Sequence, residues 1–269
     1  MKKERKIVDV ETTDTEEKVA LNKEGKIVKA KEVEAIPKEG AKPRRIFAVI
    51  LWIFAIACEV VAVLNIFNKL ELPKFSQLTW LIILIVLDLI FVVCGSMLWK
   101  KANHIDPASE KNKTKFWLWN NLGSIMSVIA FLPLIIIIFT NKDLDGKTKK
   151  VAGIVAIIAL LIGGLASYDW NPVSSEQLEA ARAEILANGN YDTNDKGEPV
   201  VYWVQNSKKY HINSSCSAIN RSNNTSDIFR GTIDAAYQKG LTEPCRLCIK
   251  AIEKINGENA KKVPEDIGD

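Results

Sequence analysis

The residues with the most chemistry lie near the C-terminus. His211 and Cys216 stand close together in "YHINSSC", and Cys245 and Cys248 form the C-x-x-C of "PCRLC". Two close pairs of ligands separated by a longer connection suit a tetrahedral zinc ion, because each pair can approach the metal from one local turn. Three thiolates and one neutral imidazole close the shell and leave no open position for catalysis. The spacing therefore predicts a structural zinc site.

Two other uses of the cysteines are open on the sequence alone. A C-x-x-C can be a redox motif, but a thioredoxin-like motif should follow a strand in a βαβ setting, which the sequence does not offer here. Disulfides are expected if the domain lies outside the cell, although three cysteines leave one unpaired and give His211 no role. Cys58 and Cys94 lie in long apolar segments and are poor metal ligands, since cysteine there behaves as a small apolar residue.

A small α+β domain over residues 199–257 is predicted to hold the four ligands. "VVYWVQ" has the aromatic and β-branched content of a strand, and a return strand "YHI" follows the turn "NSKK" and delivers His211. "TIDAAYQKG" predicts a short helix with Thr232 as its cap and Gly240 as its stop. The expected domain is a hairpin, a short helix and a C-x-x-C knuckle.

This stretch is similar to the N-terminal metal-binding domain of the Ada alkylation-repair family. The shared pattern is A-x-x-x-G followed by P-C-x-x-C, and it is matched by Ala236, Gly240, Pro244, Cys245 and Cys248. The resemblance covers about residues 200–250 and implies a small bacterial zinc module, of a kind also appended to nucleases and membrane proteins. In that family a cysteine ligand also accepts the methyl group, and its partner pair of ligands is tightly spaced. Here His211 takes the first position and the gap is wider, so we expect no methyl transfer.

Basic residues are scattered over the same module, with aromatic residues between them. The basic residues are Lys208, Lys209, Arg221, Arg230, Lys239, Arg246 and Lys250, and the aromatic ones are Tyr202, Trp203 and Tyr210. Such a set predicts contact with nucleic acid through phosphate charges and base stacking. The alternative is that the charges form a solvated face and the aromatic residues build the core of a small domain.

Long apolar segments precede this module. Each has about the 20 mostly apolar residues that a membrane-crossing helix needs. They are residues 46–67, 77–99, 116–140 and 151–167. A water-soluble helix would need a polar stripe, and these segments are apolar all round. The sequence therefore predicts an α-helical four-span membrane bundle, with the lipid bilayer as its partner, followed by the small α+β zinc-binding domain.

The flanks of the spans predict the orientation. Residues 1–45 are polar, contain no aromatic side chain and predict a disordered tail, and Arg44 and Arg45 beside the first span favour the cytoplasm. The loop 100–115 is also rich in lysine, so an even number of spans would return the zinc domain to the cytoplasm. The basic loop 141–150 and the absence of positive charge in "YDWNP" favour the opposite direction for the last span.

Two weaker segments flank the zinc domain. Residues 168–198 predict a helical connector, with Ser174 and Ser175 as candidate caps and Gly189 as its stop. Residues 258–269 predict a second disordered tail.

Glu59 and Asp88 lie inside the first and second spans, where an ionised carboxylate is costly and by default indicates function. One interpretation is a proton or cation relay between two helices. The other is that both acids are protonated or form hydrogen bonds across helix contacts. Asn120 and Asn121, at the start of the third span, predict hydrogen bonds at a helix interface.

The function predicted from these features is that of a zinc-binding module anchored in the cell membrane. The module would act as a binding or regulatory domain for nucleic acid or for a protein partner. The alternative is a small transporter or channel component in which Glu59 and Asp88 are the working groups and the zinc domain is an accessory. We expect no enzyme, because the sequence offers no convincing nucleophile, general-base pair or open metal site, and it indicates no small-molecule substrate.

Overall fold

The computed structural model describes residues 19–21, 27–70, 73–189, 191–220 and 227–260. The chain divides into two compact units, Pro37–Ser175 and a second made of Met1–Ile36 with Glu176–Asp269. The helices are α1 (Ala41–Ile66), α2 (Gln77–Ile105), α3 (Lys113–Asn120), α4 (Leu122–Thr140), α5 (Gly146–Ser167), α6 (Ser175–Asn188), α7 (Ile233–Gln238) and α8 (Arg246–Ala260), with a 3-10 turn at Lys38–Gly40. The strands are β1 (Val19–Leu21), β2 (Ile27–Glu32), β3 (Asp192–Thr193), β4 (Pro199–Val204), β5 (Lys209–Tyr210), β6 (Ile228–Thr232) and β7 (Glu243–Pro244).

The unit Pro37–Ser175, here called the membrane bundle, contains four helices that are long and apolar enough to cross a bilayer: α1, α2, α4 and α5. Small side chains such as Ala55 and Ala62 face the interior, whereas large apolar ones such as Ile53 and Leu161 are exposed. This pattern is typical of membrane proteins. In lipid, helices associate through close packing of their backbones rather than through exclusion of water, so small side chains are favoured at the contacts. The prediction of a helical multi-pass fold is confirmed.

The first two membrane helices extend beyond their predicted limits. α1 begins at Ala41 instead of residue 46, and α2 continues to Ile105 instead of ending at residue 99. The extra turns carry charged and polar side chains that find partners: Arg45 donates to an Asp106 carboxylate oxygen at 2.9 Å and to the Asp106 carbonyl oxygen at 2.9 Å. Apolar composition alone marks only the part of a helix that lies in hydrocarbon.

The predicted third span, 116–140, is not one helix. The chain leaves helical geometry at Asn121, where φ is −104° and ψ is 14°. Asn120 and Asn121 each donate from the side-chain amide to the carbonyl four residues earlier, at 3.0 Å in both cases. Asparagine favours such local bonds over continued helix, so α3 ends here and α4 alone forms the third candidate span.

The same asparagines connect separate elements of the membrane bundle. The Asn103 side chain on α2 donates to the side-chain oxygen of Asn120 at 3.2 Å, and the backbone N–H of Asp169 donates to the side-chain oxygen of Asn121 at 3.2 Å. All four residues are buried. Asn120 and Asn121 thus form the interfacial hydrogen bonds that the sequence predicts.

The second unit, here called the metal domain, is built on a five-stranded sheet with the order β1-β2-β6-β4-β3. The predicted hairpin is only a small part of it. β4 pairs along its length with β6, from Val200 opposite Thr232 to Val204 opposite Ile228, and meets the return strand at one bridge between Tyr202 and His211. The sequence predicts that β4 pairs with the return strand that follows it. In the structure β6 is the antiparallel partner along the length of β4 instead.

The N-terminal tail contributes to this sheet, so the prediction of disorder over residues 1–45 is wrong at residues 19–21 and from residue 27 onward. β2 runs parallel to β6, and Val33 N–H donates to the Arg230 carbonyl at 2.8 Å. Ile36 then donates to the Gln238 side chain at 2.7 Å and accepts from it at 2.8 Å. We call residues 30–36 the N-terminal strap. An open sheet edge has unpaired backbone groups that recruit such a segment.

The ends of the metal domain also differ from the sequence prediction. The predicted connector helix is α6, and it is followed by Gly189 at φ +62°. This helix is part of the metal domain, because Arg182 on α6 forms an ion pair with Asp234 on α7 at 2.6 Å. α8 continues to Ala260, so the prediction of a disordered tail over 258–269 is wrong at its start. Residues 261–269 lie outside the described residues, as do residues 1–18 and 22–26.

Candidate metal centre

The four predicted ligands lie together in the metal domain. One ligand atom from each of His211, Cys216, Cys245 and Cys248 falls within 4.8 Å of all the others. The His211 Nδ1 atom is 3.3 Å from the Cys216 sulfur and 3.9 Å from the Cys248 sulfur. Ligands at about 2.0–2.3 Å from one tetrahedral zinc ion lie about 3.5–3.8 Å apart, so this set is compact enough to bind one metal ion.

A short parallel ladder brings the two ligand pairs together. β5 pairs with β7, Lys209 opposite Glu243 and Tyr210 opposite Pro244. His211 directly follows β5, and Cys245 directly follows β7. The ladder extends by one further bond, in which Cys245 N–H donates to the Tyr210 carbonyl at 2.8 Å. Two residues far apart in the sequence thus leave adjacent strands at the same end and reach the same point.

Local turns supply the other two ligands. Cys216 begins a tight turn in which its carbonyl accepts from the backbone N–H of Ile219 and of Asn220, both at 3.2 Å. The Asn220 side chain donates to the same carbonyl at 2.9 Å. Cys248 lies in the first turn of α8, whose start is fixed by the Ile249 N–H bond to the Cys245 carbonyl at 3.2 Å. Cys216 and Cys248 are therefore each held by a hydrogen-bonded turn of their own.

The site is nearly closed to solvent and stabilises negative charge on sulfur. The ligands are between 5% and 9% exposed. Backbone N–H groups of Ala218 and Ile212 donate to the sulfurs of Cys216 and Cys248 respectively. The Cys248 thiol also donates to Cys216, which lowers the pKa of Cys216 to about 4 and raises that of Cys248. Without a metal the pair retains one proton, and a cation that binds there displaces it.

His211 faces the sulfurs with its Nδ1 atom. Its backbone is held by two bonds to Tyr202, N–H to carbonyl in each direction, both at 2.7 Å. The His211 atom that would bind a metal ion is therefore Nδ1, and the proton of the neutral ring would then lie on Nε2.

A half-buried carboxylate near the site is the contribution that sequence reasoning missed. Asp192 on β3 accepts from the Tyr202 hydroxyl at 2.9 Å and from the Ser214 backbone N–H at 3.4 Å, next to the loop that carries Cys216. Burial, followed by the Asp192 charge, raises the pKa of Tyr202 and keeps its hydroxyl protonated as the donor. Asp192 lies in a turn-rich stretch of polar residues, and only its pairing with β4 distinguishes it from its neighbours.

Most of the basic and aromatic residues that predict nucleic-acid binding are buried or paired within the protein. Tyr202, Trp203 and Tyr210 are buried in the core of the metal domain, so they have no face on which a base could stack. Arg230 is buried as well, and Lys209 bonds Glu243 at 2.7 Å. Lys208, Lys239, Arg246 and Lys250 are exposed, and Arg221 lies outside the described residues. The interpretation that the aromatic residues build the core is the one the structure matches.

The remaining candidates lie in the membrane bundle. Cys58 and Cys94 are free thiols outside the metal cluster. Asp88 is 1% exposed on the inner face of α2, and Glu59 on α1 is half-buried.

No protein-family model, curated protein or solved structure matches this chain. The similarity to the Ada metal-binding domain rests on the sequence motif alone, and function has to be inferred from the geometry of the site.

Proposed function

We propose that this chain is a membrane-anchored binding or regulatory protein whose metal domain is held in its folded form by one structural zinc ion. The observation that carries the proposal is the convergence of one imidazole and three thiol groups within 4.8 Å. Soft sulfur ligands with one imidazole in a compact set favour zinc over magnesium or calcium, which prefer oxygen. Four protein ligands fill a tetrahedral shell, so the ion would stabilise the fold without binding substrate.

We propose that the metal domain lies in the cytoplasm. The N-terminal strap pairs with β6, so the chain before α1 and the chain after α5 belong on one side of the membrane. An even number of candidate spans agrees with this. The basic residues that flank α1 and α2 favour the cytoplasmic side, where free thiols persist and metal binding is favoured over disulfides.

A protein partner is the better supported of the two classes of partner. The aromatic residues needed for stacking on bases are buried, which removes the main support for nucleic acid. The C-x-x-C knuckle instead exposes Leu247, 45% accessible, between the two cysteines and beside the exposed side chain of Arg246. Arginine is enriched at protein–protein interfaces relative to the rest of the surface, whereas lysine is depleted. The similarity to the Ada domain is the remaining argument for nucleic acid.

The proposal is tested by the metal content of the full-length protein, purified in detergent without added metal and measured by mass spectrometry. We expect one zinc ion per chain, lost in His211→Ala and in Cys245→Ser. Cys94→Ser is the matched control, because this cysteine lies outside the metal cluster, and it should keep its zinc. A wild-type protein that contains no metal, or a metal content unchanged in both ligand variants, contradicts the proposal.

A further inference from the structure

We propose that Asp88 is a proton-binding site inside the membrane bundle and that it exchanges its proton through Glu59 on the neighbouring helix. This activity is independent of the metal domain and goes beyond the function proposed above. The ligand is the proton itself, bound to a carboxyl oxygen of Asp88 and supplied from water by way of the Glu59 carboxyl group.

The position of Asp88 is that of a residue in the core of the bundle. It lies midway between Gln77 and Trp99, the limits of the apolar part of α2, and therefore close to the middle of a bilayer. Its neighbours along the buried stripe of the helix are Ile85 and Val92, both of which are fully buried in the apolar core. Only 1% of Asp88 is exposed.

Neither carboxyl oxygen of Asp88 has a hydrogen-bond partner among the described residues. An ionised carboxylate in an apolar interior without a partner costs many kcal/mol, so the group binds a proton instead. A divalent metal ion is a poor alternative occupant, because magnesium and calcium need six or more oxygen ligands, more than the carboxyl groups of Asp88 and its neighbour Glu59 together supply. The burial and the lack of partners together identify the proton as the ligand.

Glu59 is the group that can carry the proton in and out. It lies on α1, the helix that packs along α2, and it interacts electrostatically with Asp88. Its half-buried position within the first candidate span places it between the core of the bundle and the lipid-facing surface. The other titratable group on α1 that interacts with Asp88 is the Cys58 thiol.

The two other membrane helices packed against α2 are α4 and α5, and neither places an ionisable side chain near the middle of the bundle. α4 contains no ionisable side chain, and the lysines of α5 are confined to its first five residues. α2 itself has no further ionisable side chain before Lys100 except Cys94, which is exposed. In the exchange, the Glu59 acid gives its proton to the Asp88 carboxylate, and the resulting Glu59 carboxylate takes a proton from water. The reverse sequence releases it, and no other reactant is consumed.

The test is attenuated total reflection infrared spectroscopy of the full-length protein in lipid vesicles, in H₂O and after transfer to D₂O. We expect a C=O stretching band of a protonated carboxyl group in an apolar site, absent in Asp88→Asn. In the wild type this band shifts when D₂O replaces H₂O. In Glu59→Gln the band should remain but its shift should be slow or lost, because the exchange path is removed.

Asp143→Asn makes the same chemical change in a loop and should leave both the band and its exchange unchanged. Cys245→Ser, which removes a metal ligand, should also leave them unchanged, so failure here and failure of the zinc proposal are distinguishable. If Asp88→Asn does not fold, labelling of the wild type with dicyclohexylcarbodiimide, which modifies protonated carboxyl groups in apolar sites, should give an adduct on Asp88 in the peptide map. An unlabelled Asp88, a band that persists in Asp88→Asn, or exchange that is equally fast in Glu59→Gln overturns the proposal.

Discussion

The metal domain and the membrane bundle stabilise their interiors in opposite ways. In the metal domain the groups at the centre are polar and have hydrogen-bond partners. The backbone of His211 bonds that of Tyr202, the backbone N–H of Cys245 donates to Tyr210, and the sulfurs of Cys216 and Cys248 accept backbone N–H groups. In the membrane bundle the centre is an apolar cluster of small and branched side chains from α1, α2, α4 and α5. Asp88 stands in that cluster, and neither of its carboxyl oxygens has a hydrogen-bond partner in the part of the chain that the structure describes.

The difference indicates where each region gets its stability. The metal domain is small, so it buries little apolar surface and needs a strong local interaction to hold its turns and short strands. The membrane bundle has long continuous helix contacts and needs no ligand to keep them. Removing a metal should therefore affect one region alone, and repacking a helix contact should affect the other alone.

The largest effect is expected from removal of the metal. A structural zinc site contributes on the order of 10 kcal/mol to the folding of a small domain, which is as much as the entire stability of a typical domain. Strong chelation, or Cys245→Ser, should make residues 199–260 sensitive to protease and release the N-terminal strap, whereas the helical circular dichroism signal of the bundle should persist. Cys94→Ser is the control. A domain that stays protected after its metal has been removed would contradict this dependence.

A smaller effect, confined to the membrane bundle, is expected from Gly123→Ala. A Cβ atom at this position would lie 2.5 Å from the Ser96 hydroxyl oxygen and 3.2 Å from the Ser96 Cα atom, so α2 and α4 would have to move apart. Overpacking of this kind costs about 1–3 kcal/mol. The measurement is the unfolding transition of the bundle in detergent, followed by circular dichroism, together with the zinc content.

Gly164→Ala is the matched control for that substitution, because no described residue packs within 4 Å of a Cβ atom there. It should leave the bundle as stable as the wild type or slightly more so, since alanine favours helix over glycine. Zinc content should be unchanged in both variants. Equal behaviour of the two glycine variants would show that the contact between Gly123 and Ser96 does not limit the packing.

The smallest effect is expected where the N-terminal strap meets the metal domain. Gln238→Ala removes the two hydrogen bonds to Ile36 at 2.7 and 2.8 Å, which together contribute about 1–2 kcal/mol. Amide hydrogen exchange of residues 30–36 should become faster while zinc content remains unchanged. Lys239→Ala, at the exposed neighbouring position, should have no such effect. Exchange in the Gln238 variant as slow as in the wild type would show that the strap is held by its strand pairing alone.

The features that the sequence predicts correctly are those encoded locally. Each membrane helix is visible as a long, mostly apolar segment, because bilayer thickness sets its length and the absence of water sets its composition. The Thr232 cap of α7 and the spacing of the four ligands are equally local, and the cap is observed, with Thr232 accepting from Ala235 N–H at 3.4 Å.

The features that sequence reasoning missed depend on contacts between distant segments. The ladder of β5 with β7 has two residues in each strand, too few for a recognisable pattern of alternation. The N-terminal strap lies in a polar, lysine-rich tail whose composition predicts disorder, and only the edge of β6 gives it structure. The helix break at Asn121 is different, because the competing bond is local: the Asn121 side chain donates to the Trp117 carbonyl within an otherwise continuous apolar segment.

X-ray absorption spectroscopy at the zinc edge, on the full-length protein in detergent, tests the metal centre most directly. A bound ion should have three sulfur neighbours at about 2.3 Å and one nitrogen neighbour at about 2.0 Å, with the ring signature of a histidine. In Cys245→Ser the protein should lose its metal or show a shell with fewer sulfurs. A wild-type spectrum of nitrogen and oxygen neighbours without sulfur would mean that His211, Cys216, Cys245 and Cys248 do not form a zinc site.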